Sequence, residues 1–523
     1  MAARIGKAGG PKPMMHGHEK SDPAIVAEKP VNKDGRPSAE SVEPRAGAEG
    51  NTIQHGMRRT PGRESMSHGL DRVRQAAKER KQERFTALLH HVDVELLRSA
   101  YGWLRKEASA GVDGVTWKAY GEGLDCKLAD LHDRIHRGAY RAQPSRRVYI
   151  PKPDGRQRPL GIAALEDKIV QRALVEVLNA IWEGDFLGFS YGFRPGRGQH
   201  DALDALAVGI SQHKVNWVLD ADIAGFFDTV SHDWLIKFVE HRVGDRRVIR
   251  LIRKWLKAGV AEDGQVTPGE VGTPQGAVIS PLLANLYLHH VFDLWANQWR
   301  RRHARGEVIM VRYADDIVVG FEHQADAGRF LEEMRARLAG FALTLHAEKT
   351  RLIEFGRHAA KNRRARGLGK PETFNFLGFT HISGHSRRGD FQLKRKSRSD
   401  RVRATLAAVK EALRRRMHET IDRQGAWLRQ VVMGFNAYHA VPTNYAALAD
   451  FRYHVTNLWR RTLRWRGQRG KITWARMTVV QARWLPRPRI THPWPNVRFA
   501  VKHPRWEPYA GNPPVRICAG GVR

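Results

Sequence analysis

The sequence lacks the residues that a covalently stapled or membrane-anchored protein needs. Cys126 and Cys518 are its only cysteines, and neither lies in a Cys-x-x-Cys pair. A disulfide framework and a paired-cysteine zinc ribbon are therefore excluded. No run of about twenty uninterrupted apolar residues occurs, and the N-terminus has no apolar stretch of signal-peptide length. From these absences we expect a soluble intracellular protein.

Acidic residues are scarce relative to basic ones. The 523 residues include 89 Lys and Arg but only 54 Asp and Glu, which gives a formal net charge of +35 and a pI near 10.7. Because Lys and Arg that neutralise phosphates release condensed counterions, an excess of this size indicates a polyanionic partner. The 41% hydrophobic content is enough to supply the cores of several domains.

An acidic turn is the most informative motif that is present. Tyr-Ala-Asp-Asp at 313–316 lies between two apolar, β-prone runs, which predicts two strands joined by this turn. Two adjacent acids in a hairpin are ordinary turn chemistry and are weak evidence by themselves. A third carboxylate, Asp222, ends an upstream strand-like segment in which period-two alternation places it on the same face as Asp220. Carboxylates on neighbouring strands suit Mg²⁺, so Asp222, Asp315 and Asp316 predict two-metal nucleotidyl transfer.

A cluster of cations marks a second candidate site. Two strand-like segments within 146–162 are joined by a Pro-Asp-Gly turn, and Lys152, Arg156 and Arg158 lie around the bend. A solvated basic turn and a hairpin that grips a triphosphate both fit these residues.

The composition changes several times along the chain. We predict a disordered basic leader at 1–67, a helical extension at 68–140, a mixed α/β region at 141–393 and a helical region at 394–466. The remaining segment, 467–523, alternates Trp with Arg, Lys and Pro. It fits either a nucleic-acid-binding surface or a small aromatic core.

Short motifs are spread over roughly 80–465. They are Gly111-Val112-Asp113-Gly114, Ile150-Pro151-Lys152 with Arg158-Pro159-Leu160-Gly161, Tyr191-Gly192-Phe193-Arg194-Pro195-Gly196, Asp222-Ile223 with Phe226-Phe227-Asp228, Thr273-Pro274-Gln275-Gly276, Tyr313-Ala314-Asp315-Asp316, Glu348-Lys349-Thr350 and Phe376-Leu377-Gly378-Phe379. In their order and spacing these motifs resemble one family: the reverse transcriptases encoded by group II introns, also called intron maturases.

The resemblance implies an α+β right-hand polymerase. Fingers and palm would occupy 141–393, with helices packed on the palm β-sheet, and 394–466 would be an α-helical thumb or maturase domain. The implied metal site holds two Mg²⁺ ions on Asp222, Asp315 and Asp316, with the backbone carbonyl of Ile223.

The same resemblance implies contacts to the incoming dNTP. Lys152 and Arg158 match residues that contact the triphosphate, and the ring of Phe227 matches the position that obstructs a ribose 2′-hydroxyl. Gln275 and Gly276 match the loop beside the nascent base pair. For Lys349, and equally for Arg194, contact with template or nucleotide and structural support are both open.

The implied function is that of an RNA-directed DNA polymerase that also binds its group II intron RNA and assists its splicing. Its partners would be that intron RNA, an RNA template with a DNA primer, and target DNA, without any membrane. No paired cysteines follow Gly467, so we expect a member without the zinc-supported endonuclease domain of many relatives. We expect a cytoplasmic, bacterial-type location, at the nucleoid when DNA is bound.

Two alternatives remain from the sequence. One is a reverse transcriptase recruited to defence or repair without an intron partner. The other is a splicing factor that binds RNA but whose polymerase is dead.

Overall fold

The computed structural model describes residues 62–151, 157–466 and 472–502. The predicted disordered leader, up to residue 61, lies outside these ranges, as do Lys152 with the basic turn and both ends of the 467–523 segment. Among the helices in these ranges, none is long and apolar enough to cross a membrane.

Helices form most of the described structure. The α-helices are α1 (Gly62–Glu79), α2 (Val94–Trp103), α3 (Trp117–Gly121), α4 (Leu124–His136), α5 (Leu165–Trp182), α6 (Gln199–Gln212), α7 (Phe226–Thr229), α8 (His232–Glu240), α9 (Arg246–Lys257), α10 (Ser280–Leu288), α11 (Leu294–Arg302), α12 (Gln324–Ala339), α13 (Ala359–Ala365), α14 (Ser399–Arg415), α15 (Ile421–His439), α16 (Tyr445–Trp465), α17 (Trp474–Trp484) and α18 (Pro495–Lys502). A short 3₁₀ helix, Leu89–His91, precedes α2, and a π-helical turn, His289–Asp293, joins α10 to α11.

Within the described ranges the strands form three sheets. They are β1 (Ser145–Pro151), β2 (Gln157–Ile162), β3 (Trp217–Asp222), β4 (Val260–Glu262), β5 (Gln265–Thr267), β6 (Val308–Tyr313), β7 (Asp316–Phe321), β8 (Arg351–Glu354), β9 (Phe374–Phe376), β10 (Phe379–His385) and β11 (Phe391–Ser397). The sheet orders are β2-β1-β4-β5, β6-β7-β3-β8 and β11-β10-β9.

The central sheet, β6-β7-β3-β8, is entirely antiparallel and is buried on both faces. Leu219 and Val319 pack into the largest hydrophobic cluster, whereas Val218 and Val318 pack into a second cluster on the opposite face. This alternation follows from the period-two geometry of a strand. The predicted packing of helices on this sheet is confirmed, since α12 contacts β3 and β7, and α6 contacts β6.

The C-terminal helices form a separate core. Its buried residues come from α14, α15, α16 and α17, and it is closed by Leu485. Trp459 is its largest side chain, and the indole N–H donates to Gln424 Oε1 at 2.8 Å. The predicted fold class, α+β with a helical region after the sheets, is confirmed.

The residues of two segments, 343–346 and 374–379, also predict strands, but neither segment forms one continuous strand. The segment 343–346 is no strand, because Leu345 makes only an isolated bridge to Ile223. The neighbouring edge strand is instead β8. The segment 374–379 is split into β9 and β10 by Leu377 and Gly378, whose φ angles of 44° and 78° turn the chain back on itself.

Candidate active site

The acidic turn joins β6 to β7 as predicted. Tyr313 pairs with Asp316 at the base of the hairpin, which leaves Ala314 and Asp315 in the turn. Ala314 has a φ of 55°, in the left-handed region that is costly for a residue with a side chain. Gly192 lies directly against it, since a Cβ at 192 would be 2.3 Å from the Ala314 nitrogen. The turn is therefore held by close backbone contact with the segment before α6.

A buried arginine holds this turn from beneath. The Arg312 guanidinium donates to both carboxylate oxygens of Asp293, at 2.7 and 2.6 Å, and both side chains are fully buried. It also donates to the Ala314 carbonyl at 3.0 Å, to Asn285 Oδ1 at 3.1 Å and to Ser190 Oγ at 2.7 Å. The charge and hydrogen-bonding capacity of Arg312 are thus satisfied without water, and one of these bonds fixes a carbonyl of the acidic turn.

Asp293 stays ionised despite its environment. Burial raises its pKa most strongly, but the neighbouring Arg312 and His289 together outweigh burial and hold the pKa of this carboxyl below its usual range. Our reading of the sequence missed both residues. A charged residue in a strand whose other positions are apolar was the available signal, because unpaired charges are rarely buried. Its partner could not have been identified without the fold.

Asp222 ends β3 next to the acidic turn. It pairs with Asp316 across the β3–β7 ladder, and Asp315 is the next residue towards the turn. Asp222 Oδ2 accepts from Lys349 Nζ at 2.9 Å, and the Lys349 side chain is 56% exposed. The Ile223 side chain is buried, so only its backbone carbonyl could serve as a ligand. The structure therefore brings together Asp222, Asp316 and Lys349.

The donor set fits a divalent cation in its chemistry. Carboxylate oxygens are the ligands that Mg²⁺ prefers, and the Lys349 ammonium shows that a cation is accommodated at Asp222. Within the described ranges, however, no three His, Cys, Asp or Glu side chains converge as a ready-made metal site. The ligand set of Asp222, Ile223, Asp315 and Asp316 thus stays a prediction.

Asp220 lies on the same strand face and has a raised pKa. Its pKa is raised to about 7, chiefly by burial; Arg351, its partner in the β3–β8 register, opposes this rise, and the nearby Asp316 and Asp222 carboxylates add to it. Asp220 thus occupies a partly buried position next to a cation.

Phe227 connects Asp222 to the loop before α10. Its ring is half-buried and makes an edge contact with the buried Phe226 at 5.4 Å between centroids. The Phe227 carbonyl accepts from the Thr273 N–H at 2.7 Å, and a Cβ at Gly272 would lie 2.8 Å from the same carbonyl. The loop can approach Phe227 this closely only because residue 272 is glycine.

The Gln275–Gly276 loop lies against β2. The Gly161 N–H donates to the Gln275 carbonyl at 2.6 Å. Gly276 has a φ of 111°, and a Cβ there would lie 2.8 Å from the Gly161 carbonyl. The backbone at Gly276 therefore lies close to β2, the strand that carries Arg158. Arg158 pairs with Ile150 in the β1–β2 hairpin.

Arg194 has a structural role. It is buried, its guanidinium donates to Glu183 Oε1 at 2.6 Å, and it also donates to the carbonyls of Leu187 and Ser190 at 2.7 and 2.8 Å. Of the two alternatives for Arg194, these contacts favour support of the segment that packs beneath the acidic turn.

The sequence is similar to those of several known proteins. The family model described as reverse transcriptase (RNA-dependent DNA polymerase) matches residues 150–381. Protein YkfC of Escherichia coli is 36% identical over 317 residues, which cover 54% of this chain and 78% of that protein. The group II intron-encoded protein LtrA of Lactococcus lactis is 34% identical over 42% of this chain and 37% of LtrA. The putative COX1/OXI3 intron 1 protein of Saccharomyces cerevisiae is 31% identical over 41% of this chain and 26% of the yeast protein. The chain thus spans most of YkfC but well under half of the other two.

Proposed function

The chain belongs to the reverse transcriptases encoded by group II introns, which are RNA-directed DNA polymerases, and we propose that it copies its own intron RNA into cDNA and assists the splicing of that RNA. The observation that carries the catalytic part is the pairing of Asp222 with Asp316 beside the acidic turn. Buried pairing of Arg312 with Asp293 supports it, because a fixed turn presents its carboxylates without reorganisation.

Asp222, Asp315 and Asp316, with the Ile223 carbonyl, are proposed to hold two Mg²⁺ ions. When bound, such ions activate an attacking hydroxyl and neutralise charge on the leaving phosphate oxygens. Lys349 pairs with Asp222 at 2.9 Å and would have to release it if a divalent ion took the same carboxylate oxygen.

The surrounding residues are proposed to position the dNTP. Lys152 and Arg158 bring cations from the β1–β2 hairpin to the triphosphate, where developing negative charge is stabilised. Phe227 excludes the 2′-hydroxyl of a ribonucleotide. Gln275 and Gly276 shape the backbone beside the nascent base pair, and their contact with Gly161 couples this loop to the hairpin.

RNA binding is proposed for the helical region at 394–466, the thumb or maturase domain. Its first helix, α14, exposes Arg401, Arg403, Lys410 and Arg414. Cations along an exposed helix suit a phosphate backbone. We place the enzyme in the cytoplasm, and at the nucleoid when target DNA is bound.

Primer extension tests the catalytic part. The full-length protein should extend a DNA primer on an RNA template with dNTPs and Mg²⁺, and Asp315→Ala should abolish extension. Asp125→Ala is the matched control, because Asp125 is an exposed acid at the start of α4.

The same proteins tested on an RNA that carries a group II intron separate the competing functions. We expect wild type and Asp315→Ala both to promote splicing. If Asp315→Ala leaves extension unaffected, the proposed mechanism is wrong. Extension by the wild type without any effect on splicing would instead support a reverse transcriptase that has no intron partner.

A further inference from the structure

One face of α16 is aromatic although it does not pack into the core. Tyr445 and Tyr453 are 55% and 54% exposed, whereas Phe451, Val455 and Trp459 on the other side of the helix are buried. Their spacing of eight residues places the two tyrosines on the same side of α16. Large aromatic side chains that are exposed together on one helix face indicate a binding surface.

The helix α17 holds this face rigid. Trp474 is stacked on Tyr453 with ring centroids 6.0 Å apart and an interplanar angle of 7°. The Arg460 guanidinium lies 4.4 Å from the Trp474 ring centroid, a favourable cation–π distance. Further along, Gln481 Nε2 donates to Thr456 Oγ1 at 2.7 Å. The aromatic groups are therefore preorganised, which reduces the entropy lost on binding.

A shallow cavity of about 360 Å³ opens between the two tyrosines. It is lined by Tyr445, Arg452, Tyr453, Gln481, Arg487 and Pro488, together with Ala449. This volume lies in the range of small-ligand pockets. We call these lining residues the α16 groove.

The α16 groove contains two guanidinium groups, those of Arg452 and Arg487. Arg452 donates to the Leu485 carbonyl at 3.1 Å, and burial together with the neighbouring Arg487 lowers its pKa. In the described part of the chain, no ion pair joins either guanidinium to a carboxylate, and Asp450 is the single acidic residue between positions 440 and 502. Two adjacent guanidiniums of this kind are suited to a phosphate.

We propose that the α16 groove binds a single strand of nucleic acid, with bases stacked on Tyr445 and Tyr453 and a phosphate held between Arg452 and Arg487. Flat exposed rings combined with guanidiniums are what single-strand binding surfaces use, whereas an acidic peptide would leave the rings without a stacking partner. The proposal deepens the RNA- and DNA-binding part of the proposed function, on which it rests for the identity of the strand.

Direct binding tests the proposal. The full-length protein is first saturated with an RNA template annealed to a DNA primer, so that the polymerase cleft is occupied. Fluorescein-labelled oligouridylate and oligothymidylate are then titrated separately, which distinguishes RNA from DNA strands. Tyr453→Ala should weaken binding by about fivefold to a hundredfold, the range measured for one stacked base. Tyr453→Phe should restore it.

The salt dependence of binding tests the contribution of the arginine charges. Arg487→Ala should reduce the slope of log K against log salt concentration by about 0.7, the value for one phosphate contact on a single strand. Trp103→Ala is the matched control, because Trp103 is also an exposed aromatic with an arginine, Arg172, over its ring, but it lies in α2. It should bind both oligonucleotides as the wild type does.

Unchanged affinity in a folded Tyr445→Ala/Tyr453→Ala/Arg487→Ala protein would overturn the proposal. A second result would also overturn it: polyglutamate displaces the oligonucleotides, and the tyrosine substitutions do not change this displacement. The groove would then be assigned to an acidic protein. Asp315→Ala separates this test from the proposed polymerase function. It should bind the strands as the wild type does even though it cannot extend a primer.

Discussion

Charged side chains are buried and paired beneath the central sheet's acidic turn, whereas on the C-terminal helices they are exposed. Beneath the acidic turn, Arg312 and Asp293 are fully buried and satisfy each other. On α16 and α17, arginines are presented beside exposed aromatic rings, and Asp450 is the single acid from 440 to 502. A buried pair fixes geometry, whereas exposed cations attract a polyanion. The first region is thus suited to positioning reactive groups, and the second to holding nucleic acid.

Breaking the buried pair should have the largest effect. Arg312→Leu leaves Asp293 as an uncompensated buried charge, so we expect a loss of about 3–5 kcal/mol in the free energy of unfolding by urea. Arg335→Leu is the control, since Arg335 pairs with Glu332 at the surface and should lose less than about 1 kcal/mol. Equal losses for the two variants would show that Arg312 does not hold the turn.

Sugar discrimination should depend on Phe227 in α7, the helix that follows β3 of the central sheet. Phe227→Val removes the ring proposed to obstruct a 2′-hydroxyl, and we expect the ratio of kcat/KM for dNTP over NTP to fall by about tenfold to a hundredfold. Phe435→Val shortens a half-buried aromatic of α15 and should leave this ratio unchanged, although it costs stability. If both variants keep the wild-type ratio, Phe227 does not select the sugar.

The sheet β11-β10-β9 should make the stability of the protein sensitive to acid. His381 in β10 is buried against Phe374 with ring centroids 4.8 Å apart, and burial lowers its pKa from 6.5 to about 3. Between these values the unfolded chain binds a proton that the folded chain does not. The stability contributed is therefore complete above pH 6.5 and is lost as the pH falls, by about 1.4 kcal/mol per pH unit.

His381→Phe should remove this dependence. Between pH 7 and pH 5 we expect it to lose about 2 kcal/mol less unfolding free energy than the wild type. His385→Phe, at the exposed end of the same strand, should behave as the wild type. If plots of unfolding free energy against pH are parallel for the wild type and His381→Phe, the acid sensitivity does not come from His381.

The smallest expected effect lies in the C-terminal helices. A Cβ at Gly434 in α15 would meet no atom within 4 Å, so Gly434→Ala should stabilise the protein by about 0.5–1 kcal/mol through lower backbone entropy in the unfolded chain. Gly425 in the same helix is the opposite case, because a Cβ there would lie 2.5 Å from the Trp484 ring. Gly425→Ala should therefore destabilise, and thermal melting of both variants checks the sign.

Local patterns predicted much of the fold. Alternating residues indicated β3, apolar β-prone runs indicated β6 and β7, and turn residues indicated the β1–β2 hairpin, because each of these patterns lies in neighbouring residues. The segment 343–346 failed because its alternation was too short to decide whether it pairs along a strand or at one position. The positions of Asp222 and Asp316 on adjacent strands agree with what the motif order implied.

Long-range pairings could not be predicted. Asp204 in α6 bonds Arg395 in β11 at 2.9 Å and Arg498 in α18 at 3.0 Å, so that a C-terminal helix is tied to the central sheet region. Nothing in the neighbouring sequence identifies either partner. The same holds for the α16 groove: the sequence offered both a binding surface and an aromatic core for the Trp-rich segment. In the structure both alternatives hold for part of the segment: Trp484 packs against the core, and Trp474 is exposed on the surface.

We propose that polymerase chemistry depends on the carboxylates of the central sheet. The most direct test is the single-turnover rate of nucleotide addition by Asp222→Asn, which preserves side-chain shape, at saturating dNTP and Mg²⁺. We predict a fall of more than about a thousandfold, with affinity for template–primer not weakened, because several kcal/mol of transition-state stabilisation are lost. A rate within about tenfold of the wild type would contradict the claim.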